Sequence, residues 1–307
     1  MGSYLIKRLF HAVFVVFGVS FFVFVLMFLS GDPTLLMLPG DGHIDQAAID
    51  EFRREMGFDL PFHEQYFAFV SRLARGDIGD SWWQKQPAMG LVLARLPATA
   101  QLAGAALLVS LLIGVPLGII AALKRGTVID SAATILAVSG NSLPTFWLGI
   151  VLILVVSVWL GWFPASGRGG IEHLVLPAFT LGALSGSVIA RLLRSSMLEV
   201  LSRDFVRTAR AKGVRQSRVV LRHVLRNAAL PVVTVVGLQV GNLLSGAIVT
   251  ETVFAYPGMG LLAIQAITNR DMPVVQAFVM LSAVIVLAAN LSVDLVYMLI
   301  DPRIRYA

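Results

Sequence analysis

Side chains that could perform chemistry are sparse in this sequence and do not cluster. The chain has no cysteine, and its five histidines stand far apart, at positions 11, 43, 63, 173 and 223. Protein metal sites usually draw several thiolate, imidazole or carboxylate ligands from recognisable spacings. The sequence therefore predicts no metal site, no disulfide framework and no cysteine nucleophile.

Motifs for nucleotide binding and hydrolysis are also missing from the sequence. No G-x-x-x-x-G-K-[ST] run occurs, so the chain has no Walker A loop to hold ATP phosphates. G-x-S-x-G and H-E-x-x-H are absent too, which argues against a membrane-embedded hydrolase. We therefore predict a chain with no catalytic residue and no cofactor of its own.

A few polar or helix-breaking residues stand inside long apolar runs. A polar group in lipid needs a partner, so such residues are candidates for lining a pathway or for bonding between helices. A proline there can bend a helix around a cavity, although bends without function are common in membrane helices. For Asp294, pairing with a nearby arginine or solvation by lipid headgroups is the alternative. The candidate pathway residues are Asn141, Ser142, Pro144, Gln239, Asn242 and Asp294.

The composition places these residues in a membrane protein. Of 307 residues, 57% are hydrophobic and 14% are charged, and the mean hydropathy is +0.82, which is too apolar for an ordinary soluble chain. A helix needs about 20 mostly apolar residues to cross the bilayer core. We predict an all-α integral membrane protein with six transmembrane helices. These spans are about 9–29, 98–123, 132–160, 174–192, 229–250 and 277–300.

Basic residues are distributed unevenly around the predicted spans. The two chain ends and the loops 2–3 and 4–5 hold 16 of the 24 lysines and arginines, whereas the opposite short loops hold only Arg168 and Arg270. Because cytoplasmic loops are enriched in basic residues, both termini are predicted to be cytoplasmic. Attraction to anionic lipid would account for the same clusters. The net charge of +6 therefore does not indicate a nucleic-acid partner.

Residues 30–97 are predicted to form an extracytoplasmic helical insertion. Asp45 suits the N-cap of a first helix and Gly57 its end, while Pro61 and Gly76 suit the start and end of a second. Both helices have an apolar face, and we expect these faces to pack on each other. The face residues are Ile49, Phe52 and Met56 in the first helix, and Phe62, Tyr66, Phe69 and Leu73 in the second.

Residues 193–228 are predicted to form a structured cytoplasmic loop. Gly213 separates two amphipathic runs, so the pattern predicts helix, glycine turn, helix, with the second run continuing to Pro231. Such a basic pair can lie on the membrane surface, or it can dock in a partner's groove through its apolar face. The predicted apolar positions are Leu198, Leu201, Phe205 and Thr208, followed by Val219, Val220 and Val224.

At this loop the sequence resembles a known family. D-F-V-R-T-A-R-A-K-G at 204–213, followed by H-V-L-R-N-A-A-L-P-V-V-T at 223–234, is similar to the coupling loop of permeases of the dipeptide, oligopeptide and nickel ABC-importer family, a type I importer group that also includes glutathione permeases. Further landmarks follow in family order over nearly the whole chain. They are Y-L-I-K-R-L at 4–9, G-D-P at 31–33, G-D-I-G-D-S at 76–81, R-L-P-A-T at 95–99, S-L-P-T-F-W-L-G at 142–149, E-T-V-F-A-Y-P-G-M-G at 251–260 and D-P-R-I-R at 301–305.

The coupling loop departs from the motif of the wider importer group at its start and in the later position of Pro231. That motif begins Glu-Ala-Ala, whereas this chain has Arg207-Thr208-Ala209, a form typical of the peptide and nickel branch. The resemblance assigns ATPase coupling to this loop, where the basic residues serve either partner contact or topology. The candidate coupling residues are Asp204, Phe205, Arg207, Thr208, Ala209, Arg210, Lys212 and Gly213.

The resemblance implies a multi-pass permease in a bacterial cytoplasmic membrane that forms half of a translocation pathway. Its expected partners are a second related permease, two ABC ATPases that bind ATP and Mg²⁺, and an extracytoplasmic substrate-binding protein. Short peptides are the expected cargo, with glutathione or nickel complexes as alternatives. A stand-alone secondary transporter or channel is the rival, but the sequence shows neither clear inverted repeats nor midplane coupling charges. A membrane enzyme would require catalytic residues that the sequence lacks.

Overall fold

The computed structural model describes residues 2–29, 34 and 46–300, with the side chains of 138–142, 242 and 293–300 among those left undescribed. In this part of the chain the regular elements are helices, so the predicted all-α architecture is confirmed. They are α1 (Gly2–Leu29), α2 (Gln46–Met56), α3 (Phe62–Leu73), α4 (Ala88–Leu123), α5 (Val128–Ser142), α6 (Thr145–Leu152), π1 (Ile153–Trp159), α7 (Glu172–Leu201), α8 (Asp204–Ala211), α9 (Gln216–Arg218), π2 (Val219–Val224), α10 (Leu225–Val253), α11 (Met259–Thr268) and α12 (Met272–Ile300).

Four helical stretches among the described residues are long and apolar enough to cross a membrane. They are Ala88–Leu123, Glu172–Leu201, Gln216–Gln239 and Met272–Ser292. Val13–Leu29 and Thr145–Trp159 are apolar but shorter. The chain is thus a multi-pass membrane protein by helix length and composition, and the count of six spans remains a prediction.

The predicted span 132–160 is divided in the structure. α5 ends at Ser142. The next residue, Leu143, is extended at φ −87° and ψ 130°, and Pro144 precedes the first turn of α6. The proline ring disfavours helical geometry in the residue before it, so the helix stops before Leu143 and restarts after Pro144. The bend expected at Pro144 is therefore a complete break between two helices.

The other prolines in apolar segments do not end their helices. α7 continues through Pro177, and α10 continues through Pro231 to Val253. The second amphipathic run is therefore continuous with α10 through Pro231. An apolar helix loses one backbone hydrogen bond at a proline but keeps the rest, because the bilayer core offers its backbone no better partner.

The described chain separates into two units. The first comprises 1–97 with 262–287, and the second comprises 98–261 with 288–307. In the second unit, glycines allow α4 and α7 to approach closely. A Cβ added to Gly114 would lie 2.6 Å from the carbonyl oxygen of Gly186, and one added to Gly182 would lie 2.5 Å from that of Ala106. Gly182 and Gly186, which lie in the fourth predicted span, thus serve as packing contacts between the two helices.

In the first unit an aromatic cluster joins α3 to α1. Tyr66 and Phe69 are buried, and their rings lie 5.3 Å and 5.4 Å from the ring of Phe24 on α1. The Tyr66 hydroxyl is also 3.3 Å from the Ser20 hydroxyl. The apolar face of α3 therefore packs on α1, a partner that the sequence did not predict. Its expected packing against α2 stays a prediction, because two of the three face side chains of α2 lie outside the described residues. A face at helical spacing does not specify its partner.

The helix ends predicted in this segment are reproduced where they are described. Gly57 follows α2 with φ +72°, and Pro61 precedes α3. Gly76 has φ +77° shortly after α3. Glycine adopts these left-handed angles without the steric cost that a Cβ would bring. The predicted cap Asp45 lies outside the described residues, as do the side chains of Phe52 and Met56.

Candidate functional site

The sequence 204–213, predicted to be cytoplasmic, forms a short helix closed by a glycine. α8 follows Arg203, which is extended at φ −72° and ψ 148°. Gly213 has φ +76°, and the amide of Val214 donates to the carbonyl of Ala209 at 3.2 Å. This wrapped hydrogen bond across a left-handed glycine is how many helices end. Gly213 therefore ends the helix as the sequence predicts.

The inward face of α8 differs from the predicted one. Val206 is fully buried, whereas Phe205 is 44% exposed. The prediction placed Phe205 and Thr208 on the same helical face as Leu198 and Leu201. The chain instead leaves helical geometry at Arg203, so Leu198 and Leu201 belong to α7 and the periodicity restarts at Asp204. The predicted face was wrong because a two-residue turn changes the phase of the helix.

Val206 joins α8 to three neighbouring elements. It lies in a buried cluster with Ala122 at the end of α4, Met197 near the end of α7, and Val219 of π2. Val220 and Val224 belong to the same cluster, so the predicted inward positions of the second run are confirmed. Ala209 packs against this cluster as well. α8 is therefore in direct contact with the ends of these helices.

The opposite face of α8 is exposed and mainly basic. The Arg207 and Asp204 side chains are 77% and 96% exposed, with Nη1 and Oδ1 3.9 Å apart, and Lys212 is exposed at the helix end. Exposed pairs of this kind contribute little stability. We call Asp204, Phe205, Arg207, Thr208 and Lys212 the outer surface of α8. Arg210 is also exposed, and its Nε donates to Gln216 Oε1 at 3.3 Å.

The candidate pathway residues are not gathered into one site by the described structure. Pro144 is exposed at the break between α5 and α6, and Gln239 is buried within α10. The side chains of Asn141, Ser142, Asn242 and Asp294 lie outside the described residues. Their roles in a pathway therefore remain predictions.

An ion pair between α5 and α7 was not anticipated from the sequence. Arg194 binds Asp130 through two hydrogen bonds, from Nε to Oδ1 at 2.7 Å and from Nη2 to Oδ2 at 2.9 Å. The amide of Gly126 also donates to Asp130 Oδ2 at 3.0 Å. Asp130 precedes the predicted membrane segment 132–160. The Arg194 guanidinium and this amide lower the pKa of Asp130 from 3.8 to about 2.

A buried carboxylate at the far end of α10 was also missed. Glu251 is fully buried and accepts hydrogen bonds from Thr99 Oγ1 at 2.6 Å and from the amides of Gly260 and Leu261 at 2.7 Å and 3.0 Å. Thr99 Oγ1 in turn accepts from the amide of Met259 at 2.8 Å. The start of α11 is thereby held against α4. This contact joins two of the family landmarks, 95–99 and 251–260. Their match to the family motifs was the one feature of the sequence that pointed to these residues.

The first unit contains a smaller polar centre at the start of α12. Asp271 is buried and accepts hydrogen bonds from the Ser81 hydroxyl and, at 3.0 Å, from the amide of Trp82. A cavity of about 340 Å³ opens beside it, lined by Trp83, Gln84, Gln265 and Asn269 among others. Trp83 is 70% exposed. The cavity is therefore lined by the end of the predicted extracytoplasmic segment together with residues 262–274, and its lining is partly polar.

Comparison with known proteins identifies relatives over the whole chain. Residues 114–306 match the family described as binding-protein-dependent transport system inner membrane component, and residues 1–103 match the N-terminal membrane component of such systems. The di/tripeptide transport permease DppB of Pseudomonas aeruginosa is 41% identical, with 100% of this chain and 99% of that protein covered. The glutathione transport permease GsiC of Escherichia coli is 42% identical, with both chains covered completely.

Solved structures support the fold. A structure of the MetNI methionine ABC transporter matches with a TM-score of 0.59 and 18% sequence identity, over 69% of this chain and 97% of that chain. An amino acid ABC transporter matches with a TM-score of 0.54 at 15% identity, over 67% and 92%. These three comparisons agree. The chain belongs to the binding-protein-dependent transport system inner membrane components, the permeases of ABC importers.

Proposed function

We propose that this chain is the permease subunit of an ABC importer for short peptides and that α8 couples it to a separate ATPase. The proposal rests on one observation, that one face of α8 is buried in the protein and the opposite face is exposed. Val206 is buried among three helix ends, while Phe205 and the basic side chains of the outer surface face away from the protein. An exposed aromatic residue surrounded by charges is typical of a protein contact.

In this proposal a pair of separate ATPase subunits binds and hydrolyses ATP, since the chain lacks a Walker A loop. A second permease completes the pathway, and an extracytoplasmic binding protein delivers the cargo. ATP binding moves the ATPases, the ATPases move α8, and α8 moves the ends of α4, α7 and π2 through Val206. The displacement of α8 shifts the permease between two conformations only if the ATPases bind α8 with different affinity in the two conformations.

The coupling contact can be tested at two apolar positions of the same loop. Phe205→Ala removes the exposed ring of α8, and we expect the ATPase subunits to co-purify about tenfold less well, because exposed aromatic anchors dominate such contacts. Leu221→Ala is the matched control, since Leu221 is 62% exposed but lies on π2. Undiminished ATPase association in Phe205→Ala would remove α8 from the docking surface.

Peptide cargo is supported by relatives whose names specify di- and tripeptides, dipeptides and oligopeptides. Glutathione is the second candidate, because GsiC is equally similar along its full length. The test is uptake by proteoliposomes that contain both permeases, the ATPases and the binding protein. We expect ATP-dependent uptake of labelled dipeptide that excess glutathione does not suppress. Uptake of glutathione alone would assign the chain to the second cargo.

The proposed orientation has both termini in the cytoplasm, supported by the distribution of basic residues. Since the chain has no cysteine, single cysteines report topology without background. Ser217 and Gln86 are both exposed. A cysteine at Ser217 should react only with a reagent that reaches the cytoplasm, and one at Gln86 only from outside. Labelling of both from one face would contradict the six-span arrangement.

A further inference from the structure

The ion pair between Asp130 and Arg194 is built to hold two helices at a fixed distance. The Asp130 side chain is 9% exposed, and both of its oxygens accept from the Arg194 guanidinium. Paired hydrogen bonds of this type fix orientation as well as distance. The Gly126 amide and the Thr127 hydroxyl, which accepts from the Asp130 amide at 3.5 Å, hold the aspartate from its other side. Both sides of the aspartate are therefore fixed by hydrogen bonds, unlike an ion pair between two mobile side chains on the surface.

The position of the pair relates it to α8. Arg194 lies on the last two turns of α7, between Leu193 and Met197, which belong to the buried cluster around Val206. One side of this helix end thus contacts α8, and another side binds α5 through Arg194. Among the described side chains, α5 contributes none to the Val206 cluster. The ion pair therefore joins α5 to a helix end that α8 contacts directly.

A rigid link of this kind has a mechanical consequence. If α8 displaces the end of α7, then α5 must follow, or two charge-assisted hydrogen bonds to a buried carboxylate must break. Breaking them leaves a charge in a poorly solvated place, which is unfavourable. The intact link favours joint movement of α5 and α7. α5 leads to the break at Pro144, so the movement would reach the segment that contains candidate pathway residues.

We propose that Asp130 and Arg194 are positioning residues that make α5 follow α7 when the ATPases displace α8. This proposal rests on the coupling function proposed above. The pair touches neither cargo nor nucleotide, and its role is to convert ATP hydrolysis into rearrangement of the pathway. Loss of the pair should therefore separate hydrolysis from transport without separating the subunits.

The test measures cargo uptake and ATP hydrolysis together in the complete reconstituted transporter. Asp130→Asn and Arg194→Gln should each lower the uptake per ATP hydrolysed about tenfold, while the ATPases still co-purify and hydrolyse ATP. The double variant should be no worse than either single variant, because both remove the same link. Glu199→Gln is the matched control. It removes an exposed ion pair at 2.5 Å with Arg203, in the turn that follows the same helix, and leaves the link between α5 and α7 intact.

A second measurement separates a link from a simple stabilising contact. Cysteines at 130 and 194, in a chain with no other cysteine, can be joined by a short bifunctional thiol reagent. We expect the uncrosslinked variant to be uncoupled and the crosslinked one to regain transport per ATP. Crosslinking that blocks transport would show that α5 and α7 must separate, and it would overturn the proposal. Unchanged uptake per ATP in Asp130→Asn, with normal ATPase association, would overturn it without affecting the assignment of α8.

Discussion

The two ends of α10 use polar residues in opposite ways. Near its start, α8 keeps its charged side chains in solvent and is anchored by the buried Val206. At its other end, Glu251 and Thr99 are buried and bonded to each other, and hydrogen bonds from three backbone amides join them to the start of α11. Exposed charges are available to a partner, whereas a buried and satisfied carboxylate holds its own chain in place.

Glycine is required near both ends of α10, but for a different reason at each end. A Cβ on Gly213 would meet no atom within 4 Å, so glycine is required there by its φ of +76° alone. A Cβ on Gly258 would overlap the Glu251 carboxylate, so glycine is required there by space. The first end leaves open space around its glycine, and the second is packed around its own buried group.

The largest expected effect comes from breaking the buried end. Glu251→Ala leaves the amides of Gly260 and Leu261 and the Thr99 hydroxyl without their acceptor, at about 1–3 kcal/mol for each buried donor. We expect the subunit to lose thermal stability in detergent and to accumulate poorly in the membrane. Glu251→Gln is the control, since it keeps the shape and one acceptor oxygen and should lose less. Equal thermal stability of Glu251→Ala and the parent chain would show that these hydrogen bonds do not hold the start of α11 in place.

An intermediate effect is expected at the glycine that ends α8. Gly213→Val forces a β-branched residue into a left-handed conformation, at a local cost of about 1–3 kcal/mol. The turn should distort, ATPase association should fall and uptake should be lost, while the protein still inserts in the membrane. Gly213→Asn is the matched variant, because asparagine tolerates this conformation. Normal uptake and complex formation in Gly213→Val would contradict the importance of this turn.

The smallest effect is expected from pH at the Asp130–Arg194 pair. Because the pKa of Asp130 is lowered from 3.8 to about 2 in the folded protein, its contribution to stability is complete above pH 4 to 5 and is lost only as the pH falls towards 2. The difference in thermal stability between the parent chain and Asp130→Asn should therefore be constant from pH 5 to pH 8. A difference that shrinks within this range would mean that Asp130 titrates near its ordinary pKa.

The sequence by itself determined the class, the family and several helix ends. Length, apolar runs and the order of the landmarks indicated a membrane-embedded importer permease, because these signals add up along the chain. Gly57, Gly76 and Gly213 marked helix ends correctly, since a left-handed residue at a helix end is a local requirement. Pro144 indicated a bend, and the structure has a complete break there, because proline restricts the residue immediately before it.

Only the tertiary structure decided which faces are buried and which distant residues meet. Phe205 and Val206 are adjacent and both apolar, yet one is exposed and the other buried, because the turn at Arg203 resets the helix phase. The hydrogen bonds of Asp130 with Arg194 and of Thr99 with Glu251 join residues 64 and 152 positions apart. No local pattern encodes such partners, since a polar residue shows only that it needs one, and the packing of the helices determines which residue it meets.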